Sequence, residues 1–192
     1  MIESIQKYGG FYIGRYELSA AGVQKNQPTL VYTNWYNLYK KCKELNASDK
    51  VETRMIWGCQ WDVTMNWLIS SGAKTSNEVN TDSSSWGNYK GTSVKSDDGT
   101  TEIKASEDAQ VLNTGKTTFT MANNIYDLAG NVWEWTQEAY STDRRDGRGG
   151  GCSIDGSSRP ASYRSGYSPS YSGNSIRFSS HFNNKVILDS RA

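Results

Sequence analysis

Residues 140–182 contain no Lys, Glu, Gln, Met or Trp, although these five types fill 38 of the other 149 positions. Finding none of them by chance has odds on the order of one in 100,000 or lower. Exposed loops ordinarily carry Lys, Glu and Gln freely, so solubility alone does not explain the absence. The stretch is instead rich in Ser, Tyr, Gly, Arg, Asp and Asn, a composition typical of a binding surface.

Other absences narrow the class of protein. No apolar run reaches the length of a bilayer span, so we expect no membrane insertion. The formal net charge of +1 argues against nucleic acid or an anionic membrane as the main partner. Residues 1–4 lack the basic and then apolar pattern of a secretory signal, so if the protein reaches the outside of the cell we expect it to do so by another route.

Cysteine and histidine are too few for a disulfide framework or a zinc site. Cys42 and Cys59 lie in segments with helical apolar spacing, where we expect small buried side chains. His181 falls in a terminal strand-like segment and is expected to be structural.

Apolar spacing predicts two helices. The first follows Asn34, and its apolar stripe is Trp35, Leu38, Tyr39, Cys42 and Leu45. The second runs from about residue 58 to residue 70, with tryptophans in its core stripe, and Gly72 stands just past its end as a stop signal.

Period-two alternation predicts three strands. They are an edge strand over residues 10–17, a strand over residues 132–136 and a final strand over residues 176–182. In the middle strand Trp133 and Trp135 point one way and Glu134 the other; Glu134 is either a ligand for an ion or hydrogen bond, or part of the polar face. Residues 73–118 are polar and predicted to be long surface loops, and residues 140–175 to be loops held between two strands.

Several motifs occur in the order seen in formylglycine-generating enzyme and sulfatase-modifying factor domains, which the chain resembles over almost its whole length. The motifs are residues 12–17, Arg54 with residues 60–62, residues 86–88, residues 124–136, residues 148–150 and Arg177. The resemblance implies an α+β, C-type lectin-like fold with two helices, short antiparallel strands and a high loop content. It also implies a single domain over residues 1–192.

The enzymes of that family use a cysteine pair a short distance after the Arg-Gly-Gly element. Here the corresponding positions are Ile154 and Arg159, while Cys152 stands earlier and has no second cysteine after it. The thiolate pair that would hold copper is therefore missing. A related branch uses histidines for iron, which one histidine does not supply, so we expect no enzymatic activity and no required cofactor.

The same fold serves without catalysis in the variable proteins of diversity-generating retroelements, in which template adenines are copied unfaithfully. Randomising both adenines of an Asn codon can encode Asn, Asp, His, Tyr, Ser, Thr, Ile, Gly, Ala, Val, Arg, Pro, Cys, Phe or Leu. It cannot encode the five types missing from residues 140–182. The resemblance thus predicts a variable ligand-binding region over residues 140–175. An ordinary lectin, with loops selected for their chemistry, and a residual oxidase stay open as alternatives.

Three tyrosines, Tyr163, Tyr167 and Tyr171, are the expected aromatic anchors for a protein or glycan receptor on a target cell. The carrier would be a virion tail or a bacterial cell surface. The predicted ligand-binding residues are Ser153, Ile154, Asp155, Ser158, Arg159, Tyr163, Ser165, Gly166, Tyr167, Ser170, Tyr171, Ser172, Gly173 and Asn174.

Other residues in the region match scaffold positions of the family. Those expected to bind loop carbonyls or to meet backbone requirements are Arg148, Gly149, Gly150, Arg164 and Arg177. Asn131 and Glu134 match positions that help to bind a structural calcium, which prefers oxygen ligands. The resemblance therefore implies a possible calcium site at these two residues.

Overall fold

The computed structural model describes residues 6, 9–45, 51–172, 178–179 and 182–186. The helices are α1 (Trp35–Glu44), α2 (Gly58–Ser70) and α3 (Ser76–Asn80). The strands are β1 (Val51–Met55), β2 (Val94–Lys95), β3 (Glu102–Lys104), β4 (Met121–Ala122), β5 (Ile125–Tyr126), β6 (Trp133–Ala139), β7 (Arg145–Arg148), β8 (Arg164–Tyr167), β9 (Phe178–Ser179) and β10 (Phe182–Val186). The predicted α+β class is confirmed. Within the described ranges no helix is long and apolar enough to cross a bilayer.

Both predicted helices are confirmed. Helix α1 begins where Asn34 Oδ1 accepts a hydrogen bond from the backbone N–H of Asn37, at 3.0 Å, which satisfies a donor that the first turn leaves open. Helix α2 has the predicted bounds, and Gly72 just beyond it has a φ of 74°. The sequence analysis missed α3, a five-residue helix inside the stretch predicted to be loops.

A four-stranded sheet in the order β8-β7-β6-β9 organises the C-terminal half of the described chain. Strands β6, β7 and β8 are antiparallel, as predicted. Strand β9 is an exception, because it pairs with β6 in parallel. Strand β1 pairs with β10, and two small hairpins form from β2–β3 and β4–β5. Because β7 and β8 lie inside residues 140–175, this region is not loops alone.

The predicted edge strand over residues 10–17 is wrong. Arg15 O accepts from the N–H of Tyr126 at 2.9 Å, whereas Glu17 N–H donates to Thr114 Oγ1 at 2.9 Å. One hydrogen bond to β5 and one to the loop at Thr114 do not make the repeating ladder of a strand pair. The predicted final strand is divided between β9 and β10, and residues 176, 177, 180 and 181 lie outside the described residues.

Two buried clusters form the core. The first joins α2 to α3 and to the loop after it, and includes Trp61, Met65, Leu68, Val79, Trp86 and Tyr89. The second joins α1 and β1 to β6, and includes Leu38, Cys42, Met55, Trp133 and Trp135. Two expectations fail: Cys59 is exposed, and Trp67 is 44% exposed because it lies on the side of α2 away from the core.

Candidate ligand-binding surface

The sheet formed by β6, β7 and β8 has two chemically different faces, because side chains alternate along a strand. Arg148 and Glu138 lie on the face that meets α2, where Arg148 donates hydrogen bonds to Asp62 of that helix and to Glu138. Trp133 and Trp135 lie on the opposite face, as predicted, and meet tyrosine rings there.

Three predicted anchors share that aromatic face. Tyr163 meets the edge of Trp133 with 6.2 Å between ring centroids, and Tyr167 meets Trp133 at 6.0 Å and Trp135 at 6.4 Å. Tyr171 stacks on Tyr167 at 6.0 Å. Each tyrosine is half-buried against the second core cluster, so each has one side on the scaffold and one side toward solvent.

Glycine makes room for these ring contacts. In the sheet register Gly147 lies between Trp135 of β6 and Ser165 of β8. Because Gly147 presents no side chain, the tyrosine rings can reach across β7 to the tryptophans. Gly147 in the middle strand therefore leaves the space that these ring contacts need.

A cation and an aliphatic side chain complete the surface. The Arg159 guanidinium lies over the Tyr163 ring, 4.3 Å from its centroid, and Ile154 packs against the same core cluster. We call Ile154, Arg159, Tyr163, Tyr167 and Tyr171 together the tyrosine face. Aromatic rings beside an arginine are typical of residues that carry binding energy in protein interfaces.

Exposed polar side chains occur among and beyond these residues. Five predicted binding residues are exposed: Ser153, Asp155, Ser158, Ser170 and Ser172. We call these five the open set. Ser165 and Gly166 are partly buried, while Gly173 and Asn174 lie outside the described residues.

Gly166 does not offer space for a variable side chain. A Cβ atom added there would lie 2.1 Å from Cδ1 of Tyr140, well inside van der Waals contact. The ring of Tyr140 therefore covers position 166, and a larger residue would fit only if this exposed ring moved.

Fixed positions alternate with exposed ones along residues 148–163. Gly149 and Gly150 have φ values of 85° and 79°, which residues other than glycine rarely adopt. A Cβ on Gly156 would lie 2.6 Å from the backbone nitrogen of Ser84. Ala161 is buried, and its carbonyl accepts from Trp61 Nε1 at 3.0 Å. We call Arg148, Gly149, Gly150, Gly156 and Ala161 the closed set.

Arg148 is the centre of a buried ion-pair network. Its guanidinium lies 2.6 Å from Asp146, 2.9 Å from Asp62 and 3.2 Å from Glu138. It also donates to the carbonyl of Ser162 at 2.9 Å, so the predicted bonding to loop carbonyls is confirmed. The carboxylates in addition neutralise a guanidinium that water does not reach.

Arg164 belongs to the same network but differs from the expectation. It pairs with Asp62 and with Glu138, the latter at 3.3 Å, and its side chain is 46% exposed. It therefore binds carboxylates rather than loop carbonyls and is not buried. Arg177 lies outside the described residues.

Burial raises the pKa of Asp146 to about 7, with a smaller contribution from nearby Glu138, although Arg148 opposes the rise. The charges of the network modify this effect of burial. Two arginines, Arg148 and Arg164, face three carboxylates. The most buried carboxyl is the one for which the charged form is least favourable.

The arrangement around Asn131 does not fit a calcium ligand. Asn131 Oδ1 already accepts hydrogen bonds from Asn88 Nδ2 and from Leu112 N–H, each at 2.9 Å. Its Nδ2 donates to Glu17 Oε2 at 2.6 Å. The side chain thus serves as a buried hydrogen-bond hub, and a cation would have to displace two donors from its oxygen.

Glu134 is buried near two other acids. Burial, and then Asp127, raises its pKa well above 4.5. Burial, followed by Asp127 and Glu134, does the same for Glu17. Within the part of the chain that the structure describes, no group of three or more His, Cys, Asp or Glu side chains could hold a metal ion. Calcium remains a prediction from the resemblance.

The positions that correspond to the enzymes' cysteine pair belong to the tyrosine face. Ile154 packs on the core and Arg159 stacks on Tyr163. Cys152 is buried, and its Sγ lies 3.5 Å from the carbonyl of Ala109. This geometry suits recognition by aromatic and cationic groups.

The sequence analysis missed an aromatic extension of the surface on α1. The backbone N–H of Trp35 donates to the carbonyl of Pro169 at 3.0 Å. The guanidinium of Arg145 lies over the Trp35 ring, 5.2 Å from its centroid. Tyr39 stacks on Trp35 at 4.9 Å, and Tyr36 is 56% exposed. These three aromatic residues lie within two turns of one helix, which is more than one buried stripe needs. This excess is the sequence signal that could have indicated the extension.

Comparisons with known proteins assign the chain to no family. No protein-family model matches the chain, and no curated protein sequence is detectably similar to it. Among solved structures, the chain is similar to Treponema denticola variable protein 1. The TM-score is 0.47, with 15% sequence identity over 81% of this chain and 70% of that chain. A likeness at this level leaves the ligand of this chain open.

Proposed function

We propose that this chain is a non-catalytic binding protein with a C-type lectin-like fold, whose loops after β7 are diversified by a retroelement. One observation carries the proposal. The exposed positions after β7 surround a cluster of tyrosines, and every residue of this stretch is one that a randomised Asn codon can encode. A surface selected only for its chemistry has no reason to exclude Lys, Gln and Trp together.

The alternation of open and closed positions supports scattered diversification. Exposed Asp155 and Ser158 flank Gly156, which has no room for a side chain. The closed set holds the loop against the first core cluster, where Ala161, Gly149 and Gly150 meet Trp61 or Tyr89, so substitutions at the open set leave these scaffold contacts intact. A rigid scaffold that presents replaceable side chains is the arrangement that a diversified receptor needs.

The chemistry of the tyrosine face supports recognition. Tyrosine offers a large, rigid and amphipathic contact at low entropic cost, and serine offers adaptable hydrogen bonding. The partner is a protein or glycan receptor on a target cell, since such rings pack on sugar rings as well as on protein surfaces. The carrier is a virion tail or a bacterial cell surface, and recognition requires no cofactor apart from the structural calcium that the resemblance implies.

Two matched libraries test the proposal. The first randomises the open set with the codons that adenine mutagenesis can reach, and the second randomises the closed set in the same way. The first library should remain folded in most members and yield binders to unrelated targets. The second should lose folding in most members. Equal loss of folding in both, or a folded first library without binders, would contradict the proposal.

Two further experiments separate the alternatives. For the ordinary lectin, the neighbouring DNA is decisive: an adenine-rich imperfect repeat beside a reverse transcriptase supports diversification, and its absence supports a lectin of fixed sequence.

For the oxidase, a cysteine-containing peptide is incubated with copper and either this protein or its Cys152→Ser variant. Peptide oxidation that depends on Cys152 would replace the binding proposal with an enzyme. Glycan and protein arrays then identify the class of receptor.

A further inference from the structure

A concave surface lies away from the tyrosine face. It is enclosed by the loop at residues 10–15, the outer side of α2 and the turn at Asn123 and Asn124, and has a volume of about 490 Å³. Small-molecule sites span roughly 300–1,000 Å³ and are mostly apolar with a few polar groups. The size of this groove therefore suits one small organic molecule.

The wall of the groove is an apolar stripe that the core does not use. Helix α2 buries Trp61 and Met65, while Val63 and Trp67, four residues apart, share its outer side. Val63 is 55% exposed, Trp67 is 44% exposed, and Tyr12 across the groove is 52% exposed. Large apolar side chains gathered at one exposed site mark a binding surface rather than a solvated face.

A single cation stands at the edge of this apolar wall. The Arg15 side chain lines the groove and is exposed, and no residue that lines the groove is acidic. Arg15 forms no salt bridge with any other described residue. An arginine beside apolar surface, with no carboxylate to neutralise it, favours a ligand that brings its own negative charge.

We propose that this groove binds a small organic anion. The aromatic or aliphatic body of the ligand packs on Trp67 and Val63, and its carboxylate or sulfonate pairs with Arg15. The proposal does not depend on diversification, because no described residue between 140 and 182 lines the groove. The site would be the same in every variant of the tyrosine face.

Two fluorescent probes of nearly the same shape test both halves of the proposal. 1-Anilinonaphthalene-8-sulfonate carries a negative charge, and N-phenyl-1-naphthylamine is its neutral counterpart. The folded wild-type protein should bind one equivalent of either probe. The Arg15→Gln variant should weaken the sulfonate probe about fivefold to tenfold and leave the neutral probe unchanged. Trp67→Ala should weaken both.

Val63→Asp provides a second variant, because position 63 is exposed and the substitution places a negative charge against the sulfonate. It should abolish binding of the anionic probe while circular dichroism stays unchanged. Tyr36→Ala, an exposed aromatic residue on α1, is the matched control and should bind both probes as the wild type does.

The proposal would be overturned by unsaturable probe binding to the folded protein, by equal affinity of Arg15→Gln and wild type for the sulfonate, or by loss of probe binding as the protein self-associates. The last result would show that a second copy of the chain occupies the groove. A fall in neutral-probe affinity equal to that of the sulfonate in Arg15→Gln would likewise exclude the charge pairing.

Discussion

Arg148 Nε lies 2.6 Å from Asp146 Oδ2, and both side chains are completely buried. They form this ion pair on one face of the β6–β7–β8 sheet, while Tyr167 of the adjacent strand occupies the other face. The sheet thus has a charged side that fixes the scaffold and an aromatic side that is available to a ligand. The two sides make separable predictions about stability and binding.

Removal of the central guanidinium should destabilise the fold. At pH 8, where Asp146 is ionised, Arg148→Gln leaves this carboxylate buried without its counter-charge, and breaking a buried pair in this way typically costs about 3–5 kcal/mol. Urea unfolding followed by tryptophan fluorescence measures the loss. Arg144→Gln is the matched control, because Arg144 is exposed, and should change stability by less than about 0.5 kcal/mol. Equal losses in the two variants would contradict a central role for Arg148.

The raised pKa of Asp146 predicts a pH dependence. The folded state holds this proton up to about pH 7, whereas an unfolded aspartate releases it near 3.8. The folded state therefore binds more protons in this window, and the free energy of unfolding falls as pH rises through it. Asp146→Asn mimics the protonated form at every pH. The unfolding free energy of this variant minus that of wild type should therefore be more positive at pH 8 than at pH 4. Unfolding curves at both pH values check this, and a relative stability that does not change, or worsens, opposes it.

Tyr140 and Gly166 should be energetically coupled. Gly166→Ala forces a methyl group toward the Tyr140 ring, and such overpacking typically costs about 1–3 kcal/mol. In a Tyr140→Ala background the same substitution should cost less, because the ring that it strikes is gone. A double-mutant cycle on unfolding free energies measures the coupling. Additive effects would mean that the ring does not restrict position 166.

Helices α1 and α2 could be predicted, and the binding region could be proposed, because the signals used for both are local. Leu38 and Cys42 lie one turn apart, and Gly72 ends α2 by its own backbone preference. The missing residue types in residues 140–182 are equally visible without any structure. Patterns within one segment are enough to indicate a helix, a turn or a biased composition.

The rest depended on partners distant in sequence. Asp62 and Arg148 meet across 86 residues, and nothing in either segment indicates the other. The strand predicted over residues 10–17 had the right alternation, but among the described residues it makes only a single hydrogen bond to β5 and no ladder. Asn131 matched a calcium position by motif, yet its amide is occupied by Asn88 and Glu17. Such contacts arise only when the chain folds.

Stability and binding should separate within the tyrosine face. Tyr167→Ala removes ring contacts with Trp133 and Trp135, and for a half-buried aromatic residue this should cost about 1–2 kcal/mol. Ser170→Ala, at an exposed position, should leave stability unchanged. Thermal unfolding measures the difference, and any receptor identified by the arrays should bind both variants more weakly than wild type. A fully stable Tyr167→Ala protein would show that its ring does not support the scaffold.

The central claim is that a retroelement diversifies the exposed loops after β7 while the scaffold stays fixed. Sequencing of this gene from many cells or virions of one population tests it most directly. The account predicts substitutions at the open set and the tyrosine face, scattered among an invariant closed set, with Lys, Glu, Gln, Met and Trp still absent. Variation spread evenly along the gene, variation within the closed set, or no variation at all would contradict it.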